Sequence, residues 1–259
     1  MVLSQKGYAL HELLACVLSR ELQDKTLGLV GASALVPMAA CMLAQEMHAP
    51  NLTWISGGSG YVNPLPPLVL SSSAFRARAE AVLPMDRILV MQGRNIDFFF
   101  AGAMQVDNLG KINLVGVGNP LKNEYTTRGP GSAGVSFAAR TKRLFIYLNN
   151  HDKRIFVKKL DFVSAVPQKP VIIDDITKKV KNHILVSPLG VFDFAPPDKT
   201  MNIVSIHPGI TVQDVIDNTG FPFSKKIDPK TIPITEEPTE EELDILRESI
   251  DPHKLLQKS

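Results

Sequence analysis

Apolar residues in the first part of the chain switch from helical to strand spacing and back. Leu10, Leu13, Leu14, Val17, Leu18 and Leu22 mark one face of an amphipathic helix within Tyr8 to Leu22. Asp24-Lys25 ends it, and Leu27 to Val30 reads as a short buried strand. Gly31-Ala32-Ser33 then makes a tight strand-to-helix turn. Pro37 suits the first turn of the next helix, Met38 to Met47, which stops before Pro50. Leu52 to Ile55 is a second strand, opening into Ser56-Gly57-Gly58-Ser59-Gly60. The order α-β-α-β predicts a parallel sheet covered by helices.

Further along, the pattern is more broken. Asn63 to Pro67 is too proline-rich for regular structure, so the glycine turn should enter a loop. Arg76 to Met91 reads as mostly helical, interrupted at Pro84. Phe98 to Gly102 is the next strand, and the apolar run Ile112 to Val117 ends at Gly118-Asn119-Pro120. Leu144 to Leu148 and Ile155 to Val157 read as a strand pair around Asn149 to Asp152, and Lys158 to Val166 as another strand. Ile184 to Phe194 and Met201 to His207 flank a turn at Ala195 to Lys199, as antiparallel strands do. Thr211 caps a short helix, Val212 to Thr219, with Asp214 at the capping-box position. Pro222 to Pro238 is an extended arm, and Thr239 caps a final helix, Glu240 to Ile250, whose first turn is acidic. The expected fold class is α/β: a largely parallel central sheet flanked by helices, with an antiparallel C-terminal addition near 184–207. Residues 1–220 should form the main domain and 221–259 a C-terminal arm and helix.

Composition narrows the function classes. The 259 residues are 44% hydrophobic and 21% charged, enough for a full core. A net charge of +2 gives no field that would select nucleic acid or an anionic membrane as partner. Cys16 and Cys41 lie on apolar helical patterns outside any C-x-x-C pair, and read as buried free thiols of a reducing compartment. The start MVLSQKGYALHELL lacks the pattern of a secretory signal, and no apolar run reaches the roughly 18 residues needed to cross a bilayer. A cytoplasmic location is expected.

Candidate chemistry gathers where glycine does. Between Asp97 and Gly134 the chain reads DFFFAGAMQVDNLGKINLVGVGNP and then LKNEYTTRGPGSAG. Either glycine cluster alone would be a set of tight turns. Two together, interspersed with Gln105, Asp107, Asn113 and Arg128, point to a site where backbone approaches a ligand. Loops at the carboxyl ends of strands are where open α/β sheets bind ligands, and their free N–H groups can hold an oxyanion. Neither Gly31 nor Gly57 to Gly60 spells a dinucleotide fingerprint, and Gly58-Ser59-Gly60 is not a nucleophile elbow. Trp54 reads as core and Asp107 as the cap of the Asn108–Gly110 turn. His48, His183, His207 and His253 lie far apart, so no metal site is expected. His207-Pro208-Gly209 reads as a turn after a strand, and His151 as a solvated turn residue.

The segment Gly102-Ala103-Met104-Gln105-Val106-Asp107-Asn108-Leu109-Gly110-Lys111-Ile112-Asn113 resembles the G-A-x-Q-[VI]-D-x-x-G-x-x-N stretch of family I CoA-transferase β chains, of which glutaconate CoA-transferase is an example. Arg128-Gly129-Pro130-Gly131-Ser132-Ala133-Gly134 is similar to the family's glycine-rich segment. Leu189 to Phe194, His207-Pro208-Gly209 and Ile250-Asp251-Pro252 resemble its C-terminal half. The resemblance covers nearly the whole chain and implies the family fold, an acyl-CoA thioester substrate and a homologous α subunit. It implies no permanently bound cofactor, coenzyme A entering as part of the substrate.

One departure shapes the functional expectation. The family's transferases carry a catalytic glutamate in the turn after the second strand. Here Gly57 or Gly58 stands in its place, and no acid occurs between Pro50 and Glu80. A glutamyl-CoA thioester cannot form without that carboxylate. The resemblance is nearest to relatives that also lack it, including the β chain of a steroid-degrading hydrolase that opens the last ring of a CoA thioester with its essential glutamate on the α chain. The expectation is therefore hydrolytic C–C cleavage of a cyclic or β-keto acyl-CoA. True CoA transfer, acyl-CoA decarboxylation or a non-catalytic scaffold subunit are the alternatives. Gly57, Gly58, Ser59, Gly60, Gly102, Gln105, Asn113, Arg128, Gly129 and Gly131 are the expected substrate and oxyanion residues. Backbone N–H groups of Gly57–Gly60 or Gly129–Gly131 would hold an oxyanion. Gln105 and Asn113 would orient the turn or a substrate carbonyl, and Arg128 would pair with a substrate carboxylate or a CoA phosphate. Tyr61 to Leu70 and the C-terminal arm are candidate subunit contacts.

Overall fold

The computed structural model describes residues 7–31, 34–69, 72–91, 96–132, 134–167, 183–194, 199–223 and 227–258. Ala32, Ser33, Leu70, Ala133, the turn residues Ala195 to Asp198 and part of the expected arm lie outside them. Two compact units make up the chain. Met1–Phe98 and Glu236–Ser259 form the first, and Phe99–Thr235 the second.

In the first unit, α1 (Leu10–Arg20) packs on α2 (Leu35–Met47), and β1 (Leu27–Val30) pairs in parallel with β2 (Thr53–Ser56). Leu13, Leu14, Leu18, Leu43 and Met42 are fully buried, each worth about 1.5–3 kcal/mol of apolar transfer. Cys16 and Cys41 are buried and free, and Trp54 is core. The helical reading of Arg76 to Met91 needs correction. Ser72–Arg78 is a 3-10 turn and Ala81–Val82 a strand, β4; only Met85–Val90, α3, is α-helical, starting after Pro84. Together with β3 (Tyr61–Val62) these strands form the order β1-β2-β3-β4, the last two pairs antiparallel.

β5 (Phe98–Ala101) leads into the second unit. Two small hairpins follow: β6 (Gln105–Val106) with β7 (Ile112–Asn113), and β8 (Gly116–Asn119) with β9 (Glu124–Arg128). After α4 (Val135–Arg140) comes β10 (Arg143–Tyr147), parallel to β11 (Ile184–Ser187). β12 (Gly190–Asp193) and β13 (Asn202–Ile206) then extend the sheet antiparallel, as expected for 184–207. Strand order here is β13-β12-β11-β10-β5. Ile184 to Phe194 is thus two strands of a hairpin rather than one. The strand pairing expected for Ile155–Val157 with Leu144–Leu148 does not form. Among the described residues, Phe156 bridges only to Val106, and within 158–166 only Ala165 bridges, to Ile112. α5 (Val212–Asn218) begins at a full capping box: Asp214 N–H donates to Thr211 Oγ1 and Thr211 N–H to the Asp214 carboxylate.

The chain then returns to the first unit. Thr239 caps α6 (Glu240–Asp244), which continues as a π-helical turn, Ile245–Ile250, and α7 (Leu255–Lys258) follows. Arg20 Nε donates to Glu242 Oε1 at 2.8 Å, and Arg247 grips Glu12, so this segment is ionically tied to α1. Among the described residues, no helix is long and apolar enough to cross a membrane.

Candidate functional site

The residues expected to bind substrate fall in both units. Gly57–Gly60 belong to the first and the remainder to the second, and each set has its own geometry.

The glycine turn caps the β2–β3 hairpin, so it enters a strand and not the loop expected from the prolines at 64–67. Gly60 takes φ +73°, and a Cβ there would lie 1.9 Å from the Leu83 carbonyl oxygen. Only glycine fits such a position. A Cβ on Gly57 would come within 2.8 Å of the Val30 carbonyl oxygen. The turn's own bonds are largely closed. Gly57 N–H donates to Val30 O at 2.7 Å, and Ser59 and Gly60 N–H both donate to Ser56 O. Ser59 Oγ donates to Ser56 Oγ at 3.1 Å. Among the described residues, that leaves Gly58 as the one N–H of the four with no protein acceptor, and it is exposed. Asn63 locks the hairpin behind the turn. Its Oδ1 accepts from Trp54 N–H at 2.9 Å, and its Nδ2 donates to Glu80 Oε2 at 3.0 Å.

In the second unit, Gln105 and Asn113 meet. Asn113 Nδ2 donates to Gln105 Oε1 at 2.8 Å and to Gly116 O at 2.8 Å, while its Oδ1 accepts from Val115 and Gly116 N–H. All four hydrogen-bonding positions of this fully buried amide are filled, so it organises the β7–β8 turn and has none left for a substrate. Asp161, which sequence reasoning missed, completes the arrangement. Its Oδ2 accepts from Gln105 Nε2 at 3.0 Å and Gly118 N–H at 2.9 Å. Asp107 caps its turn as expected, accepting from Leu109 and Lys111 N–H. Gly129 and Gly131 donate their N–H groups to Val115 O and Leu114 O, both at 2.9 Å. Arg128 is exposed, its guanidinium 4.7 Å from the Tyr125 ring centroid. Gly102 follows β5 and is open. A Cβ there would meet nothing nearer than Tyr147 O, at 4.0 Å.

Of the histidines, His151 departs from expectation, while His207 opens the turn after β13 as expected. His151 is buried, not solvated. It stacks on Phe156 at 3.6 Å and bonds Ser187 Oγ and Thr219 Oγ1. Burial pushes its pKa down to about 3, against a smaller upward pull from Asp152. His207 is fully buried between Ser187 O and Thr235 Oγ1, and burial lowers its pKa to about 4. Both are neutral core groups. No cluster of metal-ligating side chains occurs among the described residues.

Comparison with known proteins is consistent along the chain. Residues 12–218 match the family model described as coenzyme A transferase. The "Cholesterol ring-cleaving hydrolase IpdB subunit" of Mycobacterium tuberculosis is 31% identical over 217 residues, covering 82% of this chain and 83% of that protein. A 3-oxoadipate CoA-transferase subunit of Pseudomonas knackmussii is 28% identical over 252 residues, 93% of both. The crystal structure of Rhodococcus jostii RHA1 IpdAB superposes with a TM-score of 0.77 at 26% identity, over 97% of this chain and 98% of that one. The mixed α/β fold, the matched span and these relatives place the chain in the coenzyme A transferase family.

Proposed function

We propose that this chain is the β-type subunit of a heteromeric complex that hydrolyses a C–C bond in a cyclic or β-keto acyl-CoA, with the general base supplied by a homologous α-type subunit. The reading is carried by the turn Ser56–Gly60. It offers no carboxylate, and Gly57 has no space for a side chain beside the Val30 carbonyl. A covalent glutamyl-CoA route therefore has no nucleophile at that turn, and water takes its place. Similarity to subunits of a ring-cleaving hydrolase supports the same choice.

In this mechanism the α-type partner's base removes a proton from water, and the resulting hydroxide adds to the β-keto carbonyl. The C–C bond between that carbon and the thioester α-carbon breaks. Its electron pair forms the thioester enolate, which takes a proton, so a carboxylic acid and a shortened or ring-opened acyl-CoA result. The exposed Gly58 N–H supplies a hydrogen bond to the developing oxyanion, and loss of one such donor typically raises a barrier by about 3 kcal/mol. Gln105, Asn113 and Asp161 hold the β6–β8 backbone in place. Arg128, stacked on Tyr125, is set to pair with a carboxylate or phosphate of the ligand.

The test is product analysis of the co-expressed complex in heavy-oxygen water, with a cyclic β-keto acyl-CoA and a separate carboxylate acceptor. One heavy oxygen in a ring-opened acid, with no CoA moved, is expected. CoA transfer to the acceptor without label would replace this reading with the second one, CoA transfer, which the 93% coverage of a 3-oxoadipate CoA-transferase chain favours. Loss of CO2 would indicate a decarboxylase, and turnover insensitive to changes in the Gly57–Gly60 turn would reduce the chain to a scaffold.

A further inference from the structure

We infer that the apolar surface carried by β4 and α3 is the seat of the α-type subunit, and that docking there brings the partner's base to the Gly58 end of the glycine turn. The inference rests on the heteromeric reading above and deepens it by naming the contact face. Three observations support it.

The first is a stretch of core-like sequence left outside the core. Residues 81–91 read AVLPMDRILVM, with Asp86 and Arg87 as the only charges. Apolar residues on nearly every side of a short helix call for burial. Yet Ile88 is the one buried side chain of the stretch. Val82, Met85, Leu89 and Val90 are between 42% and 61% exposed. Met85 and Leu89 are one helical turn apart, so they stand side by side on α3. Leu65 is exposed as well and is tied to the chain just ahead of β4: its N–H donates to Arg78 O, and Arg78 Nη1 donates to Leu65 O at 2.8 Å. Contiguous apolar surface with few charges is the composition of an interface core.

The second is an open edge. β4 ends the strand order of its sheet, and no strand of the described residues pairs with its outer side. Its two residues, Ala81 and Val82, are both exposed, without the charge or proline that blunts a free edge.

The third is position, and it selects the occupant. Leu83, between β4 and α3, donates its N–H to Gly60 O at 2.8 Å. The Leu83 carbonyl and Ile88 Cδ1 are the nearest atoms to the Cβ that Gly60 lacks. The face is therefore built against the turn that carries the exposed Gly58 N–H and no carboxylate. A base acting there must arrive from outside, to within about 3 Å of the reacting water or of one intervening water. A protein delivering it has to cover the ground beside the turn, and β4–α3 is the apolar ground fixed to it. A second copy of this chain, docked by a two-fold axis on the same face, would bring together two turns that both lack the carboxylate.

Sedimentation of the chain with its co-expressed α-type subunit tests the proposal, together with hydrogen exchange. The double variant Met85→Lys, Leu89→Lys should raise the dissociation constant of the heteromer roughly ten-fold or more, and Val82→Lys should act in the same direction. These positions are exposed, so the circular dichroism and urea unfolding midpoint of the chain should stay at the wild-type values. In wild type, amides of residues 80–91 should exchange more slowly in the heteromer than in the free chain. Wild-type affinity in all the variants, or exchange at 80–91 that is the same with and without the partner, would overturn the inference. So would a free chain that dimerises and loses only that dimer in the variants, since the face would then belong to a second copy. Neither readout depends on the reaction catalysed. CoA transfer in the labelled-water experiment would overturn the hydrolytic reading and leave this face intact.

Discussion

Asn113 and Gln105 face each other across the β6–β7 pair and bond amide to amide at 2.8 Å, with Asn113 wholly excluded from solvent. Asn113→Ala would strip acceptor or donor from Gln105, Gly116 and Val115 at once. The expected loss is about 2–4 kcal/mol of unfolding free energy, since buried polar groups left unpaired cost about 1–3 kcal/mol each and some recover water. Urea denaturation measures it. Asp161→Ala, at an exposed position, should cost less, about 1 kcal/mol, and speed amide exchange at Gly118.

Arg247 binds the buried carboxylate of Glu12 through Nε–Oε1 at 2.8 Å and Nη2–Oε2 at 3.0 Å, and Gln257 adds a third bond. Burial would raise the Glu12 pKa, but these bonds and the one from Ala9 N–H outweigh it and hold it below the ordinary carboxylate value. A depressed folded pKa contributes stability above the unfolded pKa, near 4.5, and that contribution fades as pH falls below it. Arg247→Met should cost about 1–3 kcal/mol at pH 7, discounted because the guanidinium is partly exposed. The gap between wild type and variant should narrow as pH falls below the unfolded value and close once it has passed the folded one.

The two ends of the glycine turn should differ from its middle. Gly60→Ala forces a Cβ onto the Leu83 carbonyl at a left-handed φ, and Gly57→Ala presses on Val30 O. Losses of more than about 2 kcal/mol for Gly60 and about 1–2 kcal/mol for Gly57 are expected in chemical denaturation. Glutamate installed at 57 should therefore fail to restore transferase activity through misfolding of the hairpin, whereas Gly58→Glu should fold, with ring opening blocked.

Acid should unfold the second unit early. His151 and His207 stay neutral in the fold down to about pH 3 and 4, while in the unfolded chain each takes a proton near pH 6.5. Depressed folded values mean stability that is full above pH 6.5 and lost progressively below it, by about 1.4 kcal/mol per pH unit for each histidine. Denaturation midpoints at pH 7.5, 6 and 5 should fall along that slope, and His151→Gln should flatten it.

What could be read from sequence was mostly local. The Asp107 cap and the Thr211 box are written in residues within four positions of each other, and the structure has them as read, whereas the Gly57–Gly60 turn is present but leads into a strand instead of a loop. His151 was not readable because its partners, Ser187 and Thr219, lie 36 and 68 residues away. Asp161 was hidden for the same reason, 56 residues from Gln105. Residues 155–166 are apolar enough for strands, yet their backbone pairs through isolated bridges and Phe156 is buried, which periodicity cannot distinguish from a ladder. The α-β-α-β order of the opening and the family resemblance both pointed to the fold class, while the two short strands β3 and β4 escaped because two residues carry no alternation.

The first unit is interrupted by the second, and this has a consequence for synthesis. Residues 236–258 leave the ribosome only after the whole of 99–235. Until then Glu12 lacks Arg247, Arg20 lacks Glu242, and Leu68 N–H lacks the Ile250 carbonyl. The nascent chain must therefore carry an unfinished first unit, with a bare carboxylate and an uncovered helix pair, throughout the synthesis of the inserted unit. A chaperone engaging this protein during translation would meet α1 and α2 first.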